Sequence, residues 1–284
     1  MRIGFYGMSV AAAGMIAAVL LWQPAVAEKH RSRADIEATS ARQAELVDRA
    51  LAPLEPAPAD RAHLYFVGFA GYGPEAVFKR EVLAAQRLFD ERFGTKGRSI
   101  VLINHESTLD STPLANVANL ERVLHHVGKL MADGSSTLFL FLTSHGLKRV
   151  FVVEMPGFGF VHLTPNRLKD LLDRSGIKNR VIVVSACYSG SFIRELADPS
   201  TLVITAARAD RTSFGCEDKR QWTYFGDAFF NRALRQERSF EKAFHRAKRL
   251  IRTWEEKERL TPSLPQIAGG QQLRSRLETF ATGH

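Results

Sequence analysis

Cysteine is scarce in this sequence, which holds only Cys187 and Cys216 in 284 residues. Two cysteines cannot build the disulfide framework that holds small secreted domains together, although they could still pair with each other in an oxidising compartment. The chain is long enough to bury a core without such bridges. At least one of the two thiols is therefore open to a chemical role.

Long apolar runs are also scarce, and the one clear case is residues 8–21, which follow the lone positive charge of Arg2. Residues 25–27 read Ala-Val-Ala, the A-x-A pattern of a signal-peptidase site. The run is shorter than the roughly 20 residues that a bilayer span needs. We predict a signal peptide over 1–27, cleavage after Ala27 and a periplasmic or secreted protein without a stable membrane span. An uncleaved anchor is the alternative.

Motifs for metals and nucleic acids are lacking. His125 and His126 belong to no H-E-x-x-H motif, and no cysteine spacing is typical of zinc. The formal net charge is +9, yet the basic residues of 246–257 alternate with glutamates, as on a solvated helix face. We expect no cofactor, no metal and no nucleic-acid partner, and the sequence leaves the oligomeric state open.

Short apolar runs alternate with amphipathic stretches from residue 63 onward. This pattern predicts an α/β fold with a mainly parallel central sheet flanked by helices on both faces. We divide the chain into a signal peptide (1–27), an N-terminal helix and linker (28–60) and one domain (61–284). The predicted strands are 64–69, 99–103, 138–143, 181–186 and 202–205. The predicted helices are 34–52, 75–93, 113–131, 165–174, 189–196, 222–236 and 240–259.

Threonine–proline pairs mark two of the helix starts. Thr112 and Thr164 each precede a proline, which is a capping hydroxyl before a first-turn proline. Between residues 149 and 162 we expect a hairpin with Pro156 and the glycines 157 and 159 at its turn.

Two of the predicted strands end in residues that carry chemistry. One ends in His145-Gly146 and the other in Ala186-Cys187. Parallel neighbours lie about 5 Å apart, so both side chains would reach one crevice at the carboxyl edge of the sheet. A helix starting near Ser189 would favour the thiolate, and imidazole can exchange a proton with it. The amides of Gly146 and Cys187 could then hold an oxyanion.

Other interpretations of the same residues stay open at this point. A cysteine at a strand end is often only core, and a histidine before glycine is often only a turn residue. Gly71 and Gly73, followed by Ala76, match the G-x-G-x-x-A pattern of NAD(P)-type dinucleotide-binding enzymes, with Glu106 for the ribose. Pro74 removes an amide from that loop, which favours a tight turn. A non-catalytic binding module of the same fold is the third possibility.

The two strand ends read LFLFLTSHG and VIVVSACYSG, and with them the chain resembles the C13 cysteine peptidases, the legumain and GPI-transamidase group, especially bacterial exported members. The resemblance continues through LYFVGFAGYG, TLVITAARADRTSFGC, TYFGDAFF and TPSLPQ. It implies a caspase-like fold and a cysteine endopeptidase that acts on peptides or proteins. In this family His145 corresponds to the catalytic histidine, Cys187 to the nucleophile and Gly146 to the oxyanion glycine.

The resemblance also assigns residues to the pocket for the residue before the cleaved bond. Ser213 and Asp227 match pocket positions, and Ser185 stands where legumain-like enzymes have an acidic residue. Arg80 falls near their arginine–histidine pair and is a possible counter-charge. We therefore predict weakened selectivity for asparagine and a polar, Asn- or Asp-like residue before the cleaved bond. Cys216 is predicted to be a free thiol bordering this pocket.

Two further departures from the family leave parts of the site open. The asparagine that supports the catalytic histidine falls near Val77, and the acidic residue before the His-Gly pair is Ser144. The group that supports His145 therefore has no assignment from sequence. The choice between hydrolysis and transpeptidation, the need for precursor processing and a covering role of residues 28–60 also stay open.

Overall fold

The computed structural model describes residues 31–58, 62–132 and 134–282. The predicted signal peptide and its cleavage point lie outside these residues. Residues from Ser32 onward belong to one compact unit. Within the described residues, no helix is long and apolar enough to cross a membrane.

Six strands form the central sheet of the described chain, in the order β2-β1-β3-β6-β7-β8. The strands β1, β2, β3, β6 and β7 run parallel, and β8 adds an antiparallel edge. The α/β prediction is therefore confirmed. The strands are β1 (Leu64–Ala70), β2 (Ser99–Ile103), β3 (Thr137–Thr143), β4 (Gly146–Leu147), β5 (Val150–Phe151), β6 (Arg180–Ser185), β7 (Thr201–Thr205) and β8 (Gln266–Gly269).

Helices cover both faces of the sheet, so the central strands are buried along their whole length. One core cluster joins the sheet to α1, α3, α4 and α5, and the other joins it to α2, α8 and the helical segment before α8. The helices are α1 (Arg33–Leu51), α2 (Ala76–Arg92), α3 (Val117–Leu130), α4 (Pro165–Arg174), α5 (Ile193–Leu196), α6 (Tyr224–Gly226), α7 (Leu234–Gln236), α8 (Phe240–Lys257) and α9 (Arg274–Thr282).

The start of α3 differs from the prediction. The Thr112–Pro113 pair does not begin this helix; instead the Asn116 side chain accepts from Asn119 N and caps it. The backbone N–H of Leu114 donates to the Gln43 side chain at 2.8 Å, which holds this segment extended. Thr164, in contrast, caps α4 as predicted, through a bond from Arg167 N.

Several predicted segments have a different internal structure. The stretch predicted as helix 189–196 is a 3₁₀ turn (Ser189–Phe192) followed by the short α5, and 222–236 consists of α6, a π-helical segment (Asp227–Ala233) and α7. The predicted hairpin is present, because Phe151 pairs antiparallel with Leu163, and Met155 pairs with Phe158 across a turn at Pro156–Gly157. A second, smaller hairpin joins β4 to β5 through residues 148–149. Strand β8 was missed because four residues after two prolines carry little strand signal.

Helix α1 packs on the sheet's α3 side. Val47 is fully buried there, and Arg122 of α3 donates to the Asp48 carboxylate at 2.7 Å. The Asn119 amide donates to Gln43 at 3.1 Å. These contacts place α1 against α3 rather than on the strand ends that carry the candidate site.

Candidate active site

The carboxyl ends of β3 and β6 place the predicted pair side by side. Thr143 and Ser185 are in register, and Ser144 N donates to Ser185 O at 3.2 Å. His145 lies two residues after Thr143, and Cys187 lies two residues after Ser185. A Cβ added to Gly146 would lie 2.2 Å from the Cys187 carbonyl oxygen, so only glycine allows the segments after β3 and β6 to approach this closely.

The His145 ring is held from three sides. Its Nε2 lies 3.0 Å from a Glu75 carboxylate oxygen, and the rings of Tyr72 and Phe78 meet it edge-on at centroid distances of 4.6 and 5.2 Å. An ionised carboxylate only accepts, so we assign the proton to Nε2. Nδ1 then carries the lone pair. Glu75 thus provides the support for His145 that the sequence left unassigned.

The sulfur of Cys187 is in contact with Ser213. The Ser213 backbone N–H donates to Sγ at 3.3 Å, and the Ser213 carbonyl and hydroxyl oxygens lie at 3.6 and 3.7 Å. A backbone donor stabilises negative charge on the sulfur. The predicted helix start at Ser189 is only a 3₁₀ turn, so this donor comes from the loop after β7 instead.

The residue after the cysteine has an uncommon backbone conformation. Tyr188 has a φ of +56°, in the left-handed region, and its N–H donates to Arg211 O at 2.7 Å. A non-glycine residue adopts such a conformation only when its surroundings hold it there, and such residues cluster at functional sites. The same bond fixes the loop that leads to Ser213.

Gly146 begins the short β4–β5 hairpin. Val152 N donates to His145 O at 3.0 Å, which makes Gly146 and Phe151 a non-hydrogen-bonded pair of this ladder. The Gly146 N–H therefore points away from β5. This direction leaves it free of the ladder, as the predicted oxyanion role requires.

Ser185 lies inside the protein rather than on an open pocket. It is 3% exposed, and its hydroxyl lies 3.3 Å from the Thr223 hydroxyl. The fully buried carboxyl of Glu81 also bonds to it. The sequence expectation that Ser185 touches substrate therefore lacks an accessible surface in the structure.

The remaining pocket candidates already have partners. The Asp227 carboxylate accepts from Asn231 Nδ2 at 2.7 Å and from Arg232 Nε at 3.0 Å. Arg80 donates to the backbone carbonyls of Asp218 and Arg220. Arg80 thus fastens the loop before α6 to helix α2, and the structure does not place its guanidinium beside the Asp227 carboxylate.

Comparison with known proteins gives the family and the fold of the chain. The family described as the peptidase C13 family matches residues 117–271, which is more than half of the chain. The chain belongs to the peptidase C13 family. The crystal structure of caspase-1 from Spodoptera frugiperda is similar in fold, with a TM-score of 0.50 and 12% identity over 75% of this chain and 92% of that one. No curated protein matches the chain significantly.

Family and fold together make the chain a C13-type cysteine peptidase with protein substrates and a caspase-like sheet. In a dinucleotide-binding enzyme the amides of Gly71 and Gly73 would bind phosphate, but here both are hydrogen-bonded within the protein. Gly71 N donates to Thr143 O, and Gly73 N donates to Glu154 O, both at 2.9 Å. An added Cβ at Gly73 would lie 2.6 Å from the Met155 sulfur. The Gly71 amide thus pairs the β1 loop with the end of β3, and the Gly73 amide pairs it with the segment after β5.

Both cysteines of this C13 peptidase are free thiols. Burial raises the pKa of the Cys216 thiol well above its ordinary value, and the nearby Cys187 adds to this effect. Cys216 therefore stays a neutral thiol packed against the core of the α2 side. Among the described residues, no group of three or more His, Cys, Asp or Glu side chains could hold a metal ion.

The Glu81 carboxyl predicts a measurable pH dependence of stability. Burial raises its pKa above the ordinary 4.5, although hydrogen bonds from Thr143, Thr223 and Ser185 act in the opposite direction. The folded state then holds a proton that the unfolded state has lost, so the free energy of unfolding falls as pH rises from 4.5 through the raised pKa. Because a single proton is released, stability falls by at most about 1.4 kcal/mol for each tenfold drop in proton concentration.

Glu81→Gln removes this titration. Urea unfolding from pH 4.5 upward should show the variant gaining stability relative to the wild type as pH rises. A difference that stays constant or shrinks with rising pH would contradict the raised pKa.

Proposed function

We propose that this protein is a cysteine endopeptidase in which Cys187 is the nucleophile and His145 the proton carrier. The observation that carries the proposal is the register of β3 and β6, which brings His145-Gly146 against Cys187. The Ser213 donor on Sγ and the Glu75 acceptor on Nε2 support the same roles.

The geometry suggests a sequence of proton movements. Nε2 of His145 is bonded to Glu75, so the thiol proton passes to Nδ1. The thiolate attacks the substrate carbonyl carbon, and the oxyanion accepts from the amides of Gly146 and Cys187. Nδ1 then protonates the leaving amine, and the C–N bond breaks to leave a thioester on Cys187. Water, deprotonated by His145, hydrolyses the thioester and regenerates the thiol.

The proposed specificity is for a polar, Asn- or Asp-like residue before the cleaved bond. Two features support a polar pocket. The Ser213 hydroxyl lies 3.7 Å from the nucleophilic sulfur, and the partly exposed Asp227 carboxylate keeps acceptor capacity beside its bonds from Asn231 and Arg232. A pocket that hydrogen-bonds a polar group discriminates against substrates that leave it unpaired.

Asp227→Ala tests this specificity. One lost acceptor of about 1.4 kcal/mol should lower the preference for polar over apolar residues about tenfold in a peptide-library profile. The control is Asp210→Ala, which removes an exposed carboxylate paired with Arg208. A strict preference for large apolar residues that Asp227→Ala leaves unchanged would exclude this pocket.

We also propose that the protein is exported. The support is the A-x-A pattern at residues 25–27 behind the apolar run. Mass spectrometry of protein from its native host should find Glu28 at the N-terminus, whereas an intact Met1 would argue for an uncleaved anchor.

The direct test of the proposed function is cleavage of a peptide library by residues 28–284, with Cys187→Ala as the control. Cleavage that depends on Cys187 supports the proposal. An absence of cleavage and of labelling by thiol-directed peptide probes would favour a non-catalytic binding module, and specific NAD(P) binding would favour the dinucleotide class.

A further inference from the structure

Glu81 is a fully buried carboxyl that the proposed chemistry does not use. It lies on α2 and is 0% exposed. A buried carboxyl is costly unless donors surround it, and this one has several. Thr143 Oγ1 donates at 2.7 Å, and Thr223 donates with both its N–H and its hydroxyl at 2.8 Å.

These donors come from the elements that carry the site. Thr143 ends β3 two residues before His145, and Ser185, which also bonds to Glu81, ends β6 two residues before Cys187. Thr223 caps α6 through a bond to Gly226 N at 3.0 Å. One carboxyl therefore ties together two catalytic strand ends and the start of the helical segment that contains Asp227.

The helical segment after Thr223 packs closely against the Glu81 carboxyl. A Cβ added to Gly226 would lie 1.9 Å from Glu81 Oε2, so glycine is needed for the helical segment to come this close. The neighbouring Phe78, on the same helix, packs edge-on against the His145 ring. Helix α2 thus touches the catalytic histidine directly and both strand ends through Glu81.

We propose that Glu81 is a positioning residue, whose carboxyl aligns His145 with Cys187 by joining the ends of β3 and β6. This inference rests on the proposed function for its role in turnover. The alignment itself can also be measured without a substrate, because a histidine placed to accept the thiol proton speeds alkylation of the cysteine.

The experiment compares wild type, Glu81→Leu, Glu81→Gln and Thr143→Val. Two rates are measured: iodoacetamide alkylation of Cys187, separated from that of Cys216 by peptide mapping, and kcat on a cleaved peptide. Misalignment by about 1 Å can cost about 100-fold, so Glu81→Leu should lower both rates by about that factor. Glu81→Gln should restore most of the loss, and Thr143→Val, which breaks only the tie to β3, should cost about tenfold.

Glu255→Leu is the matched control. Glu255 is an equally buried glutamate (2% exposed) on α8, and it accepts from Ser263 N at 3.0 Å. Glu255→Leu should lower the melting temperature but change both rates less than about twofold, because a loss of stability alone acts only through the fraction of unfolded protein. Glu81→Leu rates that match this control would overturn the proposal.

Each of the remaining outcomes also supports or overturns the proposal. If Glu81→Leu does not fold, unchanged rates in folded Thr143→Val overturn the proposal and lowered rates support it. If the wild type hydrolyses peptides and Glu81→Leu has the same two rates, the positioning role is wrong but the proposed function stands. If the wild type does not hydrolyse peptides but its Cys187 alkylation rate depends on Glu81 and His145, the proposed activity is wrong. The alignment of His145 with Cys187 by Glu81 is then still supported.

Discussion

Replacing Cys187 by alanine is expected to lower peptide hydrolysis by about 10⁴-fold or more while the protein remains folded, because the bond-forming atom is removed. The Cys187 side chain is only half-buried, and its sulfur contacts Ser213 rather than the core, so the loss of packing should be small. His145→Ala should be nearly as severe. Groups that act as a unit are not additive, so the double variant should be little worse than either single one.

Cys216→Ala is the control for this prediction, since it removes the other free thiol of the chain. It should retain most of the activity, and circular dichroism should show the same fold in all variants. Substantial hydrolysis by Cys187→Ala, with loss of activity in Cys216→Ala, would mean that the nucleophile has been misassigned.

Glu75→Ala is expected to give the second largest loss, about 1,000-fold in kcat with a small change in KM. Glu75 holds Nε2 of His145 at 3.0 Å and so fixes both the tautomer and the ring orientation. Proton transfer by a positioned side chain contributes about 10²- to 10⁴-fold to a rate. Glu75→Gln keeps an acceptor oxygen and should lose less activity than the alanine variant.

Glu154→Gln is a suitable control because this exposed residue bridges to Tyr72 through its backbone. Its kcat should stay within about twofold of the wild type, as is usual for surface substitutions. A Glu75→Ala variant that turns over as fast as this control would show that the His145–Glu75 contact has no part in catalysis.

The sequence predicted the parts of the fold that local patterns determine. The five parallel strands came from apolar runs that are buried on both faces, and their bounds differ by only one residue from those of the structure. The prediction of the site's centre followed from one rule: neighbouring parallel strands end at the same edge, so His145 and Cys187, each two residues beyond a strand end, lie at one edge of the sheet.

Contacts between segments that are distant in the sequence could not be predicted from local patterns. Glu75 meets His145 across 70 positions and Thr223 meets Glu81 across 142, and no spacing rule connects them. Glu75 had one usable signal, since it follows β1, the neighbour of β3, at the same edge. The family resemblance assigned Ser185 to the substrate pocket, whereas the structure buries its side chain (3% exposed) against Glu81 and Thr223.

The site of covalent labelling by a peptide electrophile tests the central claim most directly. The protein is incubated with a peptidyl acyloxymethyl ketone, digested and mapped by mass spectrometry. A single adduct on Cys187, abolished in His145→Ala and unaffected in Cys216→Ala, is the result that a His145–Cys187 peptidase requires. An adduct on Cys216, or peptide hydrolysis that continues while Cys187 remains unlabelled, would contradict it.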